Sequence, residues 1–181
     1  IGRQLGDGMA RKKDKDVLAL YSGFSTDFGT AGSAMSLANV SATVAYAKGK
    51  AFGSQVYIVQ HPFAVWDIAN TAVTASTTYP VPAGWSADLL GNFFSGLRPM
   101  NGVPIFEDGN ITIDSNDDAN GVCADRSALG VVKSVDTRTE RQRDASLRAT
   151  EVVITADYGV FELDDSKGVG LTFDASDPAT S

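Results

Sequence analysis

The clearest periodic segment of the chain predicts a helix from Ser36 to about Lys50. Its apolar residues recur at helical spacing along one face, and serine often caps a helix N-terminus. Upstream, residues 3–20 are mostly polar and alternate in charge, as on the exposed face of a helix. We therefore expect the end of a helix there, followed by a loop rich in Gly, Ser and Thr over residues 22–34.

The next segment predicts a buried strand that leads into a short helix. Residues 55–60 contain an uninterrupted apolar run, which is typical of a strand buried on both faces. Pro62 suits a first helical turn, and the apolar residues after it favour a helix that ends near Asn70. Residues 71–86 are rich in Thr and Pro without periodicity, so we expect a long loop there.

Helices in the first half and long strands in the second indicate an α+β fold, arranged in two lobes. A short helix is predicted at residues 87–94, and Pro104 favours a sheet edge for a strand at residues 103–106. Residues 107–118 are acidic and turn-like. Three further strands are expected after Gly121: a long one that begins over residues 129–135, an alternating one over residues 151–163, and a last one over residues 169–173.

Composition limits the classes of function. The 181 residues carry a net charge of −7, and an acidic chain binds nucleic acid only through a local basic patch. No apolar run is long enough to span a membrane, and no signal peptide is recognisable. Cys123 is the only cysteine, which excludes an internal disulfide and a thiolate metal cluster. Because the sequence begins at Ile1, we expect a chain that is trimmed, processed or partial.

Few residues offer catalytic chemistry. His61 is the only histidine, and a side chain beside Pro62 more often caps the following helix or fills the core. Residues 114–121 superficially resemble a calcium loop, but the required glycine and closing glutamate are missing. No nucleophile elbow, dinucleotide fingerprint or phosphate loop occurs. We therefore predict no catalytic residue, no metal site and no cofactor.

Three stretches, in order along the chain, resemble the major capsid proteins of tailed phages, whose fold herpesvirus capsids and encapsulin nanocompartments share. The first is a strand that runs into a His-Pro turn and a helix. The second is a strand that contains Gly-Val-Pro, and the third is an arginine and acid cluster followed by a strand that contains Tyr-Gly-Val. The stretches are Gln55 to Ile68, Leu97 to Phe106, and Asp125 to Val160, and the resemblance covers nearly the whole chain.

The resemblance implies an axial lobe, which is a central sheet flanked by helices, and a peripheral lobe of long antiparallel strands with the end of a spine helix. It places residues 1–35 in the peripheral lobe as the helix end and its loop, and residues 36–118 in the axial lobe. Residues 119–181 are then return strands, mainly of the peripheral lobe. The family's N-terminal arm, extended loop and most of its spine helix have no counterpart in this sequence.

The function that the resemblance implies is structural and not enzymatic. Copies would assemble as pentamers and hexamers into the icosahedral head of a tailed bacteriophage, enclosing double-stranded DNA without sequence-specific binding. Scaffold, maturation protease, portal and decoration proteins are the implied partners. The implied location is the virion, after assembly in the host bacterial cytoplasm. The alternatives are an encapsulin-like nanocompartment shell and, from another class, a small hydrolase or ligand-binding module using His61 and the loop at residues 71–86.

Clusters of mixed charge are the candidates for contacts between subunits. Such clusters orient partners and reject wrong ones more than they add affinity. An aromatic residue beside the long loop is a further candidate. The candidate residues are Arg11, Lys12, Lys13 and Asp14 in the first segment, Arg138, Glu140, Arg141, Arg143 and Asp144 in the C-terminal segment, and Trp85.

Overall fold

A computed structural model describes residues 2–74 and 103–178, and it shows an α+β fold with one mixed sheet and one long hairpin. Helix α1 spans Gly2–Leu18, α2 spans Leu37–Gly49 and α3 spans Pro62–Thr74. The strands are β1 (Asp27–Gly29), β2 (Val56–Gln60), β3 (Ile105–Glu107), β4 (Asp118–Asp125), β5 (Leu129–Asp144), β6 (Ala149–Glu162) and β7 (Gly168–Asp174).

The helices begin where the sequence predicts. The Ser36 Oγ accepts a hydrogen bond of 3.2 Å from the backbone N of Asn39, which satisfies one free N–H group of α2. Helix α3 begins at Pro62 but continues to Thr74, so the predicted end near Asn70 is wrong and residues 71–74 are helical. The remainder of the predicted loop and the predicted helix at residues 87–94 lie outside the described residues.

The mixed sheet has the strand order β1-β7-β4-β2-β3. Strands β1 and β7 are parallel, as are β2 and β3, whereas β4 runs antiparallel to both of its neighbours. Strand β3 lies at the sheet edge, as Pro104 predicts. Since β4 and β7 lie in this sheet with β2, the C-terminal segment contributes to the sheet as well as to the hairpin.

The sequence pattern misses two strands: β1, which lies within the loop expected over residues 22–34, and the longer β4. Strand β4 contains Asp, Asn and Gly, which are poor strand formers, and its first residue, Asp118, lies in the segment expected to be a turn. Its position between β2 and β7 buries seven of its eight residues. Pairing and burial on both faces therefore override a weak local preference.

Two apolar layers cover the two faces of the mixed sheet. On one face, α2 and α3 pack against the sheet through residues such as Val44 and Ile68, with the fully buried Phe173 beneath them. On the other face, Tyr21 and Phe24 pack against Val122 and Ala124 of β4. This alternation is the reason why a central strand such as β4 has no solvent face.

Gly168 allows the second layer to form. A Cβ atom at this position would lie 2.0 Å from Cε1 of Phe24, far inside contact distance. The phenyl ring therefore rests directly on the β7 backbone. A larger residue would displace Phe24 and open the packing between the loop after α1 and the sheet.

A buried glutamine links strands that are not adjacent. The Nε2 of Gln60 donates a hydrogen bond of 3.1 Å to the Leu171 carbonyl on β7, and its Oε1 accepts one of 2.8 Å from the His61 backbone N. Gly121 lies beneath this side chain, and a Cβ there would come within 2.6 Å of the Gln60 Oε1. The amide thus crosses β4 with its polar atoms satisfied, as burial requires.

Candidate assembly surfaces

Strands β5 and β6 form a long antiparallel hairpin, here called the arm (residues 129–162). Its strands are 16 and 14 residues long, and every residue from 131 to 143 is exposed. At its base, the Ala128 carbonyl accepts hydrogen bonds from the backbone N of Leu163, at 2.8 Å, and of Asp164, at 3.3 Å. Both strands of the arm are therefore tied together where they leave the mixed sheet.

Two register shifts in β5 determine which side chains share a face of the arm. They lie between Lys133 and Val135 and between Val135 and Arg138, and each inserts one residue opposite β6. Side chains alternate between the two faces of a strand, so two inserted residues restore the original alternation. Positions before the first shift and after the second therefore lie on the faces that the sequence pattern predicts. Only the short stretch between them, with Val135, changes sides.

One face of the arm, here called the helix face, contains Tyr158 and lies towards α1. The opposite face, here called the open face, contains Gly159. Along β6 from Val152 onwards, the helix-face residues are half-buried and the open-face residues exposed, as the predicted alternation from Val152 to Val160 requires. The helix face carries Val131, Lys133, Thr139, Arg141 and Arg143 with Thr150, Val152, Ile154, Ala156, Tyr158 and Val160, and the open face carries Val132, Val135, Arg138, Glu140 and Gln142 with Glu151, Val153, Thr155, Asp157, Gly159 and Phe161.

Helix α1 holds the arm through a small polar cluster. The Tyr158 hydroxyl donates a hydrogen bond of 2.5 Å to Oδ2 of Asp16, and Lys13 Nζ lies 5.6 Å from the Tyr158 ring centroid. Hydrogen bonds from Lys12 and Tyr158 lower the pKa of Asp16, and the bond to Asp16 raises the pKa of Tyr158. The cluster is therefore most favourable with Asp16 ionised and Tyr158 protonated, which holds at neutral pH.

The candidate contact residues of α1 are divided between internal and external roles. Lys13 donates a hydrogen bond of 2.7 Å to Oγ1 of Thr137 on the arm, and Lys12 forms an ion pair with Asp16 within the helix. Arg11 and Asp14 are exposed. Lys13 thus contributes to the position of the arm within one chain, a role that its sequence context does not indicate.

The arm brings together the candidates of the C-terminal segment. Arg138 and Glu140 form an ion pair of 2.8 Å on the open face, whereas Arg141 and Arg143 lie on the helix face. The Asp144 carboxylate accepts hydrogen bonds from the backbone N and Oγ of Ser146 in the turn. That role lowers the pKa of Asp144 and stabilises the turn. Trp85 lies outside the described residues.

Sequence reasoning missed an exposed group of apolar side chains at the base of the open face, here called the apolar patch. Its members are Val132, Val135, Phe161 and Leu163, with exposed fractions of 56%, 36%, 39% and 59%. A signal was present in β6: alternation from Tyr158 places Phe161 and Leu163 on the face that a solvated strand would keep polar. Large apolar side chains clustered on a surface commonly mark an interaction site.

His61 acts as a helix cap. Its Nδ1 accepts a hydrogen bond of 3.2 Å from the backbone N of Phe63, at the start of α3, and its side chain is buried. Burial lowers the pKa of His61, opposed by the charge of Asp108. The capping nitrogen is thus kept neutral and engaged in the fold, as expected of a structural histidine.

We expect His61→Ala to lower the free energy of unfolding by about 1 kcal/mol because α3 loses its cap. His61→Asn should keep most of this stability, because the asparagine side chain can also cap the helix. Because folding lowers the pKa of His61, the stability that this residue contributes is fully present above the ordinary histidine pKa. That stability is lost as the pH falls through the folded-state pKa. The wild type should therefore lose stability relative to His61→Asn between about pH 7 and pH 5. Urea unfolding at several pH values measures this difference, and parallel pH curves would contradict the capping role.

The described residues show no arrangement suited to metal chemistry. Within residues 2–74 and 103–178, no group of His, Cys, Asp and Glu side chains could hold a metal ion. In the acidic turn, Oδ1 of Asp114 accepts hydrogen bonds from the backbone N of Asn116, at 2.8 Å, and of Asp118, at 2.9 Å. These bonds lower the pKa of Asp114. Its carboxylate therefore stabilises the turn before β4.

Among the described helices, none has both the length and the apolarity needed to cross a membrane.

Comparison with known proteins identifies the fold. No family model and no curated protein matches the sequence. Solved structures do match, and they show that the chain has the fold that tailed-phage major capsid proteins share with encapsulins. The predicted class, α+β with a helix-flanked central sheet and long antiparallel strands beside the end of a helix, is confirmed.

Three of the similar structures come from two phages and a cyanobacterium. A chain of Mycobacterium phage Che8 is 17% identical, with a TM-score of 0.65 over 94% of this chain and 61% of its own length. A capsid chain of cyanophage P-SCSP1u is 14% identical, with a TM-score of 0.63 over 97% of this chain and 65% of its own length. A chain of the SrpI encapsulin complex of Synechococcus elongatus is 11% identical, with a TM-score of 0.68 over 99% of this chain and 66% of its own length. This chain thus spans less than two thirds of each of those chains.

Proposed function

We propose that this chain is a structural subunit that self-assembles into the icosahedral head of a tailed bacteriophage and encloses double-stranded DNA. The observation that carries the proposal is the similarity of its fold, over nearly its whole length, to phage capsid and head structures. An exposed arm fits this role because a subunit of a shell needs surfaces that only neighbouring copies can cover.

The lobes of the proposed subunit follow the structural elements. The mixed sheet with α2 and α3 forms the axial lobe, and the arm with α1 forms the peripheral lobe. This division keeps residues 36–118 mainly axial, and it assigns β4 and β7 of the C-terminal segment to the axial lobe as well. The cluster of Lys13, Asp16 and Tyr158 then fixes the arm within the peripheral lobe.

The mixed charges at the surface suit reversible assembly. A millimolar contact is worth only about −4 kcal/mol, but closure of a shell multiplies such contacts through effective concentration. Arg11, Lys12, Asp14, Arg138, Glu140, Arg141 and Arg143 then provide orientation more than affinity. The net charge of −7 also suits a container, because an acidic wall does not grip packaged DNA.

One alternative is a nanocompartment shell that encloses protein, since an encapsulin shares the fold, but most of the similar structures are phage capsids or heads. Electron microscopy of the full-length gene product, expressed with and without the genes beside it, distinguishes the readings. Closed shells that contain DNA or associate with portal and scaffold proteins support the phage head. Shells that copurify with an enzyme cargo support the nanocompartment. A lone folded molecule under all these conditions would overturn both shell readings, and turnover abolished by His61→Ala would then indicate the hydrolase.

A further inference from the structure

The open face of the arm has a depression beside its exposed apolar side chains. A Cβ atom placed at Gly159 would meet no atom within 4 Å, so the space above this residue is empty. Val132 lies directly opposite Gly159 on β5, and Phe161 follows two residues along β6. Phe161 and Leu163 in turn lie over Gly130, because a Cβ there would come within about 3.0 Å of both side chains. The apolar patch is thus an uneven surface with room for an incoming side chain.

The two faces of the arm also differ in charge. On the distal half of the helix face, beyond the second register shift, Arg141 and Arg143 are the only charged residues, and they lie opposite Val152 and Thr150. The open face carries Glu151 and Asp157 in addition to the internally paired Arg138 and Glu140. One face is therefore basic and apolar, and the other is acidic and apolar.

We propose that the open face of the arm is the docking surface for the distal helix face of a second copy's arm. The proposal rests on the proposed function and adds which surface of one subunit binds which surface of its neighbour. The aliphatic stems of the second copy's Arg141 and Arg143, both exposed, cover the apolar patch and enter the depression at Gly159. The guanidinium groups of its Arg141 and Arg143 then lie near Asp157, which is two residues from Gly159 on the open face.

This contact is directional because its two surfaces differ. Each copy that uses its open face still offers its own helix face, so the contact extends from copy to copy and closes where the rotation between copies allows. A two-fold symmetric contact would instead bury the same face on both copies. The unequal charges of the faces oppose that arrangement, since two acidic surfaces repel each other.

Gly159→Leu is the most direct test because it fills the depression from a position where an added Cβ meets no atom within 4 Å. We expect the full-length protein to keep its melting temperature while the concentration needed for shell assembly rises roughly tenfold or more. Gly49→Leu, at an exposed position on α2 with equally empty surroundings, is the matched control and should assemble normally. Normal assembly of Gly159→Leu would overturn the proposal. So would a clear fall in its melting temperature, which would show that another segment of the same chain covers the patch.

A charge exchange tests which surfaces meet. Asp157→Arg should block assembly, and adding Arg141→Glu with Arg143→Glu to the same chain should restore it, because every subunit then carries both reversed surfaces. Failure of this rescue would reject the pairing of these two faces. If the wild type forms shells while the Gly159 and charge results fail, the docking proposal falls and the proposed function stands. If the wild type forms no shells, the proposed function itself fails.

Discussion

Reversal of two arginines, Arg141→Glu with Arg143→Glu, should abolish shell formation while leaving the subunit folded. Both side chains are exposed on the distal helix face, so the free energy of unfolding should change by no more than about 0.5 kcal/mol for each substitution. A new like-charge contact between copies costs several kcal/mol, which raises the concentration required for assembly by roughly hundredfold or more. Light scattering and electron microscopy measure assembly, and urea unfolding measures stability.

The control for this prediction lies on the same arm. Arg148 lies in the turn between β5 and β6, outside both faces, so Arg148→Glu changes the charge of the arm tip without reversing the basic face. It should assemble almost as the wild type does. Equal loss in Arg148→Glu and in a single Arg141→Glu variant would mean that overall charge, and not a defined surface, controls assembly.

Phe173→Ala should lower the free energy of unfolding by about 3–5 kcal/mol, far more than any surface substitution. Phe173 is fully buried on β7 beneath α2 and α3, where truncation leaves a cavity at the centre of the main apolar layer. A typical domain has about 5–15 kcal/mol of stability, so the variant should be close to unfolding at physiological temperature. Urea unfolding of purified protein and the soluble yield of the variant check this.

An exposed phenylalanine provides the matched control. Phe106 on β3 is 42% exposed, so Phe106→Ala should cost less than about 1 kcal/mol. Phe173→Leu keeps most of the apolar volume and should fall between the two. Equal losses for Phe173→Ala and Phe106→Ala would show that the face of the sheet towards α2 and α3 is not the main core.

The parts of the fold that the sequence predicts well are those where local pattern and tertiary position agree. Ser36 caps α2, Pro62 begins α3, and the alternation of β6 matches its exposure because one face lies towards α1. Strand β4 could not be predicted because its burial depends on neighbours that are distant in the chain. The same holds for Gly168, whose role becomes visible only with Phe24 in place.

The candidate site was predicted as a set of residues but not as a surface. The arginine and acid cluster of the C-terminal segment does lie on one exposed element, yet the sequence alone does not divide it between two faces. That division depends on the two register shifts in β5. One shift alone would move every later side chain of β5 to the opposite face, and the second shift restores the original alternation. The intramolecular role of Lys13 depends on the packing of α1 on the arm, which no spacing in the sequence encodes.

The arm, together with the part of α1 that is bonded to Tyr158 and Thr137, joins the sheet at one end only, at the bonds to the Ala128 carbonyl. At about 3.3 Å per residue, its 14-residue strand β6 reaches roughly 45 Å from that attachment. A tilt of roughly 5° at the attachment would therefore move the far end by roughly 4 Å, comparable to the spacing between adjacent strands. A protein built this way can meet neighbours set at unequal angles by small adjustments at one point, while its sheet and core stay unchanged.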